Sequence, residues 1–257
     1  MSIRFENVTK SFGPKTVLRD VSFEVAKGEI LFVLGKSGMG KSVTLKHIVG
    51  TMKPTSGRVY VDGQDVTALD AEGLSDVRRK CGMVFQHPAL LDSLSVFENV
   101  AFGLRTPQYI RQLPRPLTEL EIEKIVIEKL SLVNLNKDIL RQMPSEISYG
   151  MQKRVSLART LAPGPQYLLF DEPTTGLDPI STTAVNDLIF ELSRKLKVTS
   201  VVVSHDMACA LKIADRVLVL DQAKILALET VTEIKKSKEP LIQDFLSETL
   251  ALGSTQP

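Results

Sequence analysis

Cysteine is scarce in this 257-residue sequence, and long apolar runs are missing. The two cysteines, Cys81 and Cys209, lie far apart without a CxxC spacing, so the sequence predicts neither a disulfide framework nor a zinc site. The longest apolar runs, residues 30–34 and 207–211, have five residues each, whereas a membrane-spanning helix needs about 20. The opening segment MSIRFENVTK lacks the apolar core of a secretory signal. We therefore expect a chain that does not cross a membrane and that fits a reducing cytosol.

An excess of charge is missing as well. The sequence has 32 lysines and arginines against 30 aspartates and glutamates, which leaves a formal net charge of +2. This charge is too small to indicate a nucleic-acid partner. The length and the 43% hydrophobic content allow one large domain or two small ones with a substantial core.

Hydrophobic spacing predicts an α/β fold. Residues 3–12 and 16–25 alternate apolar and polar positions, as half-buried antiparallel strands do. Residues 29–35 (EILFVLG) are continuously apolar instead, which is typical of a central strand covered on both faces. Residues 41–49 have a spacing compatible with a helix. Strand-like patterns follow at residues 56–63 and 81–86.

A mostly helical pattern then covers residues 94–161 and is broken by the Pro-bearing segment 105–117. We interpret it as a helical subdomain inserted into the α/β domain. Strand patterns separated by helical stretches return afterwards, at residues 167–173 (YLLFDEP), 198–205 (VTSVVVSH) and 216–221 (RVLVLD). This alternation favours a parallel sheet.

The C-terminal part begins with a hairpin pattern near residues 221–224. Residues 230–252 have a helical pattern whose apolar stripe contains Leu241, Ile242, Phe245 and Leu246. The last five residues, GSTQP, are predicted to be frayed. We therefore divide the chain into a main domain, residues 1–229, and a helical extension with a tail, residues 230–257.

The glycine-rich run GKSGMGKS, residues 35–42, matches the phosphate-binding pattern G-x-x-x-x-G-K-[ST]. A strand precedes it and a helix follows it, which is the context that the pattern requires. Its glycines let several backbone N–H groups point at one phosphate chain, and the helix N-terminus adds partial positive charge. Lys41 is expected to reach the β- and γ-phosphates, and Ser42 to bind Mg²⁺.

Two carboxylates end the strand pattern YLLFDEP, Asp171 and Glu172. Parallel strands bring such ends to the same sheet edge as the phosphate loop. Asp171 can then hold Mg²⁺ through water, and Glu172 can polarise the water that attacks the γ-phosphate. A helix N-cap pair before Pro173 is the alternative interpretation.

His205 and Gln86 follow two other strand patterns and are expected at the same edge. His205 could donate a hydrogen bond to the γ-phosphate, and Gln86 would lie near Mg²⁺ and the attacking water. Taken separately, each is as well explained by an ordinary structural role.

In the order of these motifs the chain resembles the nucleotide-binding subunits of ATP-binding-cassette (ABC) transporters, from about residue 3 to residue 231. The resemblance implies their fold, a P-loop NTPase with a mainly parallel core sheet, an N-terminal antiparallel β-subdomain and an inserted α-helical subdomain. It implies ATP hydrolysis with Mg²⁺ held by Ser42, Gln86 and Asp171. It also assigns residues outside the carboxylate pair: Phe12 stacking on adenine, the ATP-binding loop of Gly35, Lys36, Ser37, Gly38, Met39, Gly40, Lys41, Ser42 and Val43, Gln86 in the Q-loop, Asp178 in the D-loop and His205 as the switch histidine.

The segment ISYGMQKR resembles the family's LSGGQ signature, with Ile147, Tyr149 and Met151 as departures and Ser148 and Gly150 retained. In the family this motif closes over ATP that is held by another copy. The resemblance therefore implies a homodimer in which Ser148, Gly150 and Met151 act in trans. Tyr149 must point away from the nucleotide for the backbone to approach it.

The resemblance also implies partners in the membrane. In the family, a groove beside the helical subdomain receives a short helix from an integral membrane permease, present in two copies; a helical subdomain packed on itself is the plain alternative. Stretches such as GKSVTLKHIVG and MPSEISYGMQKR are most similar to ATPases of MCE-type (Mla) phospholipid transporters. This similarity implies an MCE-type lipid-binding protein and a small regulatory subunit as partners. It also implies a place on the cytoplasmic face of the inner membrane.

Other functions would use some of the same residues. Another importer cargo, an amino acid, a sugar or a metal, would use the same residues. So would a non-transport ABC ATPase acting on DNA or ribosomes, although such proteins usually carry two cassettes or a long coiled-coil insertion. A P-loop GTPase is disfavoured because NKDI, residues 136–139, places its aspartate one position early. The C-terminal helix could pack on the sister subunit or on its own domain.

Overall fold

The computed structural model of the protein describes residues 3–253, with side chains to residue 249. Within this range the strands are β1 (Ile3–Phe12), β2 (Lys15–Val25), β3 (Ile30–Leu34), β4 (Ser56–Val61), β5 (Gln64–Asp65), β6 (Cys81–Val84), β7 (Tyr167–Asp171), β8 (Thr199–Ser204), β9 (Arg216–Asp221) and β10 (Lys224–Thr230). The prediction of a frayed tail falls, apart from Gly253, outside the described residues.

The helices of the same range are α1 (Lys41–Ile48), α2 (Ala71–Lys80), α3 (Val96–Ala101), α4 (Pro107–Ile110), α5 (Glu119–Leu132), α6 (Tyr149–Leu161), α7 (Pro179–Leu196), α8 (Met207–Ile213), α9 (Val231–Ile234) and α10 (Pro240–Gly253). Short 3₁₀ turns cover Phe102–Arg105, Lys137–Ile139 and Pro144–Glu146. No helix of the described range is long and apolar enough to cross a membrane.

A six-stranded sheet forms the centre, in the order β10-β9-β3-β8-β7-β6. All neighbouring pairs are parallel except β9 and β10, which form the predicted hairpin. Strand β3 is completely buried, and its side chains alternate between two cores: Ile30, Phe32 and Leu34 face one, Leu31 and Val33 the other. The apolar run at residues 29–35 therefore belongs to a strand covered on both faces, as predicted.

The N-terminal strands form a separate antiparallel sheet, in the order β2-β1-β4-β5. One face of this sheet is apolar, and Phe5 and Phe23 stack there with ring centroids 4.5 Å apart. This face shares its core with α1 and with one side of the central sheet. The predicted α/β fold with two kinds of sheet is confirmed.

Between β6 and β7 the chain forms helices α3 to α6, as the pattern of residues 94–161 predicted. Helices α3, α5 and α6 pack on one another around Val100, Val126 and Val155, which are buried. Capping boxes begin α3 at Ser95 and α5 at Thr118. The hydroxyl of each residue accepts a backbone N–H three residues later, and the glutamate at that later position accepts the N–H of the capping residue.

Three helical segments differ from the sequence prediction. The sequence pattern predicts a helix over residues 152–161, but α6 starts at Tyr149, because the Ser148 hydroxyl caps it by accepting the Met151 N–H. Helix α2 was not predicted; Asp70 caps it, and only Val77 within it is buried. The helix expected over residues 230–252 is two helices, since Pro240 has no N–H to continue a helix and instead starts α10.

The C-terminal helix α10 packs against α8 of its own domain. Ile242 and Phe245 are buried there, at 0% and 7% exposure, and Leu246 packs against the same core. Of the two alternatives for the C-terminal helix, packing on its own domain is observed for Ile242 and Phe245, and a contact of α10 with a sister subunit stays a prediction.

Candidate active site

The phosphate-binding loop connects the end of β3 to the start of α1. Gly40 has φ 90°, and a Cβ there would lie 2.5 Å from the Val17 carbonyl oxygen. A side chain at Gly35 would lie 2.7 Å from the Leu220 carbonyl oxygen. Both positions therefore require glycine, and the resulting turn places the N-terminus of α1 at the sheet edge, where its free N–H groups can bind an anion.

Lys41, the first residue of α1, has its ammonium group held inside this loop. Its Nζ donates to the carbonyl oxygens of Gly35 at 2.7 Å and Lys36 at 3.2 Å. The Glu172 carboxylate lies 3.4 Å away. The two side chains are only 7% and 16% exposed, so this ion pair lies in a partly dehydrated place where charge interactions are strong.

Ser42 and Asp171 meet although they lie 129 residues apart. The Ser42 hydroxyl donates to Asp171 Oδ1 at 2.6 Å, because the ends of β3 and β7 are brought to one edge with β8 between them. Hydroxyl and carboxylate oxygens are hard ligands of the kind that Mg²⁺ prefers, and Mg²⁺ in nucleotide sites takes few protein ligands. Among the described residues no cluster of three or more His, Cys, Asp or Glu side chains could hold a metal.

Glu172 follows β7 and has a left-handed backbone, φ 51°, a conformation that costs a non-glycine residue about 1 to 3 kcal/mol. Its N–H donates to the Val203 carbonyl oxygen at 2.9 Å, which holds the bend. Its carboxylate is bonded by His205 Nδ1 at 2.8 Å and by the Thr175 hydroxyl at 3.3 Å. Strained backbone of this kind is common at functional sites because it aims a side chain.

An open cavity of about 670 Å³ lies over these groups. The predicted residues that line it come from four segments of the chain: Lys36, Ser37, Gly38, Gly40, Lys41, Ser42, Val43, Gln86, Glu172 and His205. The phosphate loop, one carboxylate, the glutamine and the histidine are thus gathered at one sheet edge, as the strand ends predicted. The arrangement can bind a phosphate chain and polarise a water next to it.

Other predicted residues lie away from this cavity. Ser148, Gly150 and Met151 are in the first turn of α6, and Asp178 caps α7 by accepting the Ser181 N–H. These four residues are not part of the cavity lining. Gly35 and Met39 belong to the loop but not to the cavity lining, and Met39 packs against the core.

Phe12 is also outside the lining. It ends β1 with 47% of its surface exposed, and the Lys10 ammonium lies 5.1 Å from its ring centroid. An aromatic ring on the surface is free to stack on a base. The structure therefore leaves the predicted adenine contact as a prediction.

Sequence reasoning missed several residues that line the cavity: Val17, Thr175, Phe245 and Glu248. Thr175 could have been found, because it lies three residues after Glu172 in the loop that leaves the sheet edge. Glu248 could not, since its place depends on how α10 folds back onto the domain.

Together, the glycine loop on β3, the Ser42–Asp171 pair and the Glu172–His205 pair define a P-loop nucleoside triphosphatase. Comparison with known proteins gives the family. A protein-family model described as ABC transporter matches residues 18–175, more than half of the chain. The chain belongs to the ABC transporter family, and it is an ATPase of that family, in which hydrolysis of ATP is coupled to transport.

Two relatives illustrate the range of the family around this chain. A methionine import ATP-binding protein of Carboxydothermus hydrogenoformans is 40% identical over 233 residues, 90% of this chain and 66% of that protein. An intermembrane phospholipid transport system ATP-binding protein of Haemophilus influenzae is 38% identical over 244 residues, 95% of this chain and 89% of that protein. The similarity to the two is nearly equal, so it does not decide a cargo.

A solved structure has the same fold. The ATP-binding cassette MJ0796, solved as a dimer in a post-hydrolysis state with ADP and Pi, is 32% identical with a TM-score of 0.78. The alignment covers 89% of this chain and 98% of that one. The predicted P-loop NTPase fold with its two subdomains is thereby confirmed.

Proposed function

We propose that this chain is the nucleotide-binding subunit of a transporter that moves phospholipid between bacterial membranes, and that it hydrolyses ATP as a homodimer. One observation carries the homodimer. The phosphate loop, Glu172 and His205 surround one cavity, whereas Ser148 and Gly150 lie outside it. A second copy that brings its own Ser148 would complete the site, as the dimeric relative suggests.

In this proposal each residue of the cavity has one task. Lys41 leaves the carbonyl oxygens of Gly35 and Lys36 and binds the β- and γ-phosphates, which replace them as its partners. Glu172 is then released from Lys41 and orients the attacking water as general base. His205, which bonds Glu172 at 2.8 Å, keeps the carboxylate turned towards the cavity.

The residues present fit Mg²⁺ as a cofactor. Ser42, Asp171 and Gln86 would hold the ion, with Asp171 acting through water. When bound, the ion would neutralise developing charge on the phosphates. Ser42 already points its hydroxyl at Asp171, so this edge is organised before nucleotide binds.

A membrane permease, in two copies, is the proposed receiver of the motion. Large apolar side chains lie exposed on and around the segment that follows Gln86: Phe85 is 46% exposed, Leu91 39% and Phe102 50%. Exposed apolar surface of this kind favours a partner helix. In this proposal the chain lies at the cytoplasmic face of the inner membrane. An MCE-type lipid-binding protein and a small regulatory subunit are further members of the complex, and nucleic acid has no role.

Phospholipid is preferred over other cargo because the alignment covers 89% of the phospholipid relative but 66% of the methionine relative, and because stretches such as GKSVTLKHIVG resemble ATPases of MCE-type transporters. Methionine import is the second candidate, since the methionine relative is 40% identical.

Purification of the chain from its native membrane in mild detergent tests both parts. We expect permease subunits to accompany it, phospholipid to be recovered with the complex, and its ATPase rate in liposomes to change when lipid-binding partner is added. Stimulation by methionine with a methionine-binding protein would replace phospholipid by the second candidate. Recovery of nucleic acid instead of membrane subunits would refute the transporter assignment.

A further inference from the structure

Lys153 is a buried lysine whose ammonium group contacts backbone instead of a carboxylate. It lies in the second turn of α6 and is 7% exposed. Its Nζ donates to the carbonyl oxygens of Pro173 at 2.8 Å and Thr175 at 2.7 Å. The ring of Tyr149 lies on another side, with its centroid 5.4 Å from Nζ. The contacts to two carbonyl oxygens and one aromatic face surround the charge.

The two carbonyl groups belong to the loop that begins with Glu172. This residue has the strained left-handed backbone, and only its N–H is held from the sheet side, by Val203. On the other side of the bend, Lys153 holds the carbonyl groups of Pro173 and Thr175, which lie one and three residues after Glu172. The hydroxyl of Thr175, whose carbonyl Lys153 binds, donates to the Glu172 carboxylate. The geometry thus fixes both the backbone and the side chain of Glu172 from α6.

Tyr149 extends this chain of contacts to the Q-loop. Its hydroxyl is 3.2 Å from Nδ1 of His87, the residue after Gln86. Its ring faces the Lys153 ammonium. Tyr149, which stands where the signature has its first glycine, therefore contacts His87 through its hydroxyl and Lys153 through its ring.

We propose that Lys153 and Tyr149 are positioning residues, which couple the Q-loop and the start of α6 to the catalytic carboxylate Glu172 of the same chain. This inference rests on the proposed function, in which the start of α6 faces the nucleotide of the partner copy. Under that arrangement, closure over the partner's ATP moves α6 and with it the Glu172 loop of the first copy. Lys153 is then the physical link between the two ATP sites of a dimer.

Steady-state ATP hydrolysis by the full chain tests the role of Lys153. In Lys153→Met both hydrogen bonds are lost, and we expect kcat to fall by at least about tenfold while KM for ATP stays within about twofold, because the phosphate loop is untouched. The Hill coefficient for ATP should fall towards one. Lys153→Arg, which keeps a charged donor, should recover part of kcat.

Thermal unfolding separates this role from a purely structural one. A loss of stability with unchanged kcat in the folded fraction would overturn the proposal. If Lys153→Met does not fold, Lys153→Gln decides, because its shorter, uncharged amide cannot replace both hydrogen bonds of the ammonium group and kcat should still fall. A folded Lys153→Gln with wild-type kcat and wild-type Hill coefficient would also overturn the proposal.

Two substitutions of Tyr149 test the other half of the link. Tyr149→Phe removes the bond to His87 and keeps the ring beside Lys153, whereas Tyr149→Gly removes both. We expect kcat to fall more in Tyr149→Gly than in Tyr149→Phe, again with KM unchanged. Equal, wild-type kcat in both would exclude Tyr149 from the link.

The matched control is Lys124→Met, a change of the same kind at an exposed position of α5 in the same subdomain. It should leave kcat, KM and the Hill coefficient unchanged. A wild-type chain without ATPase activity in the assembled transporter would contradict the proposed function itself. Normal wild-type turnover with unaffected Lys153 variants would contradict only the present inference.

Discussion

The two halves of the proposed ATP site differ in how complete they are within one chain. At the sheet edge, Lys41, Ser42, Asp171 and Glu172 already contact one another at 2.6 to 3.4 Å. At the start of α6, Ser148 is exposed and caps only its own helix. The half at the sheet edge is assembled within one chain, whereas the half at the start of α6 is exposed at the surface.

This difference follows from the fold. Parallel strands bring distant segments to one edge with little freedom, so the phosphate loop and the carboxylates are preorganised. A helix N-terminus can bind an anion only where the anion is brought to it. The structure therefore separates binding of ATP, which the sheet edge can perform alone, from hydrolysis, which we expect to need both halves.

The largest effect should come from Lys41→Ala. It removes the cation from the phosphate loop and leaves Glu172 without its ion-pair partner, so ATP affinity should fall by about 10²-fold or more and hydrolysis should disappear. Calorimetric titration with ATP measures the affinity, and a phosphate-release assay measures hydrolysis. Retained ATP binding would mean that the sheet edge does not depend on this lysine.

Glu172→Gln should slow ATP hydrolysis without weakening ATP binding at the sheet edge. The amide keeps the size and the contacts of the side chain but cannot take a proton, so kcat should fall by about 10²-fold or more with ATP affinity kept. The stalled ATP-bound dimer should be visible by size-exclusion chromatography. Glu191→Gln, at an exposed position of α7, is the control; wild-type turnover in Glu172→Gln would show that another group is the base.

Ser148→Arg, at the start of α6, should likewise slow ATP hydrolysis without weakening ATP binding. The long cationic side chain blocks the start of α6, so ATP should bind normally while hydrolysis falls by about 10²-fold. Loss of the helix cap costs about 1 kcal/mol as well, so the unfolding temperature must be measured beside the rate. Ser145→Arg, three residues earlier and exposed, controls for the added charge. A fully active Ser148→Arg would remove the signature assignment.

Acid should weaken the sheet-edge half through His47, a buried residue of α1. Burial, with a smaller contribution from Lys10, lowers the pKa of His47 to about 4 from 6.5. The unfolded chain takes up this proton as the pH falls below 6.5 and the folded one does not until about 4, so stability is lost over that window, by at most about 3 kcal/mol.

Urea unfolding at pH 7.5 and pH 5 measures this loss. In His47→Leu the difference between the two pH values should shrink. An unchanged difference would assign the acid sensitivity to other groups.

Much of the fold could be predicted from the sequence because its signals are local. Continuous apolar strands, a glycine loop between strand and helix, and alternating strand and helix patterns give the central sheet and the place of the inserted helices. The break before α10 was missed, although residues 235–239, KKSKE, contain no apolar residue and Pro240 follows them. Helix α2, with a single buried residue, has no stripe to find.

The site was predictable to the extent that strand ends determine it. The rule for parallel sheets predicts Asp171, Glu172, His205 and Gln86 at the phosphate loop, because each lies at the end of a strand pattern. The contacts of Lys153 with the Glu172 loop were not, because a lysine on a helix gives no sign of which backbone it will meet. Contacts between elements that lie far apart in sequence depend on packing, which single-residue patterns do not carry.

The claim that two copies share each ATP is tested most directly by mixing two inactive variants. Lys41→Ala retains an intact Ser148, and Ser148→Arg retains an intact phosphate loop, so a mixed dimer contains one complete site. With random pairing, half of the dimers are mixed and each has one of two sites, so an equal mixture should recover roughly a quarter of the wild-type ATPase rate. A mixture no more active than the mean of its two components, with mixed dimers shown to form, would contradict the shared site.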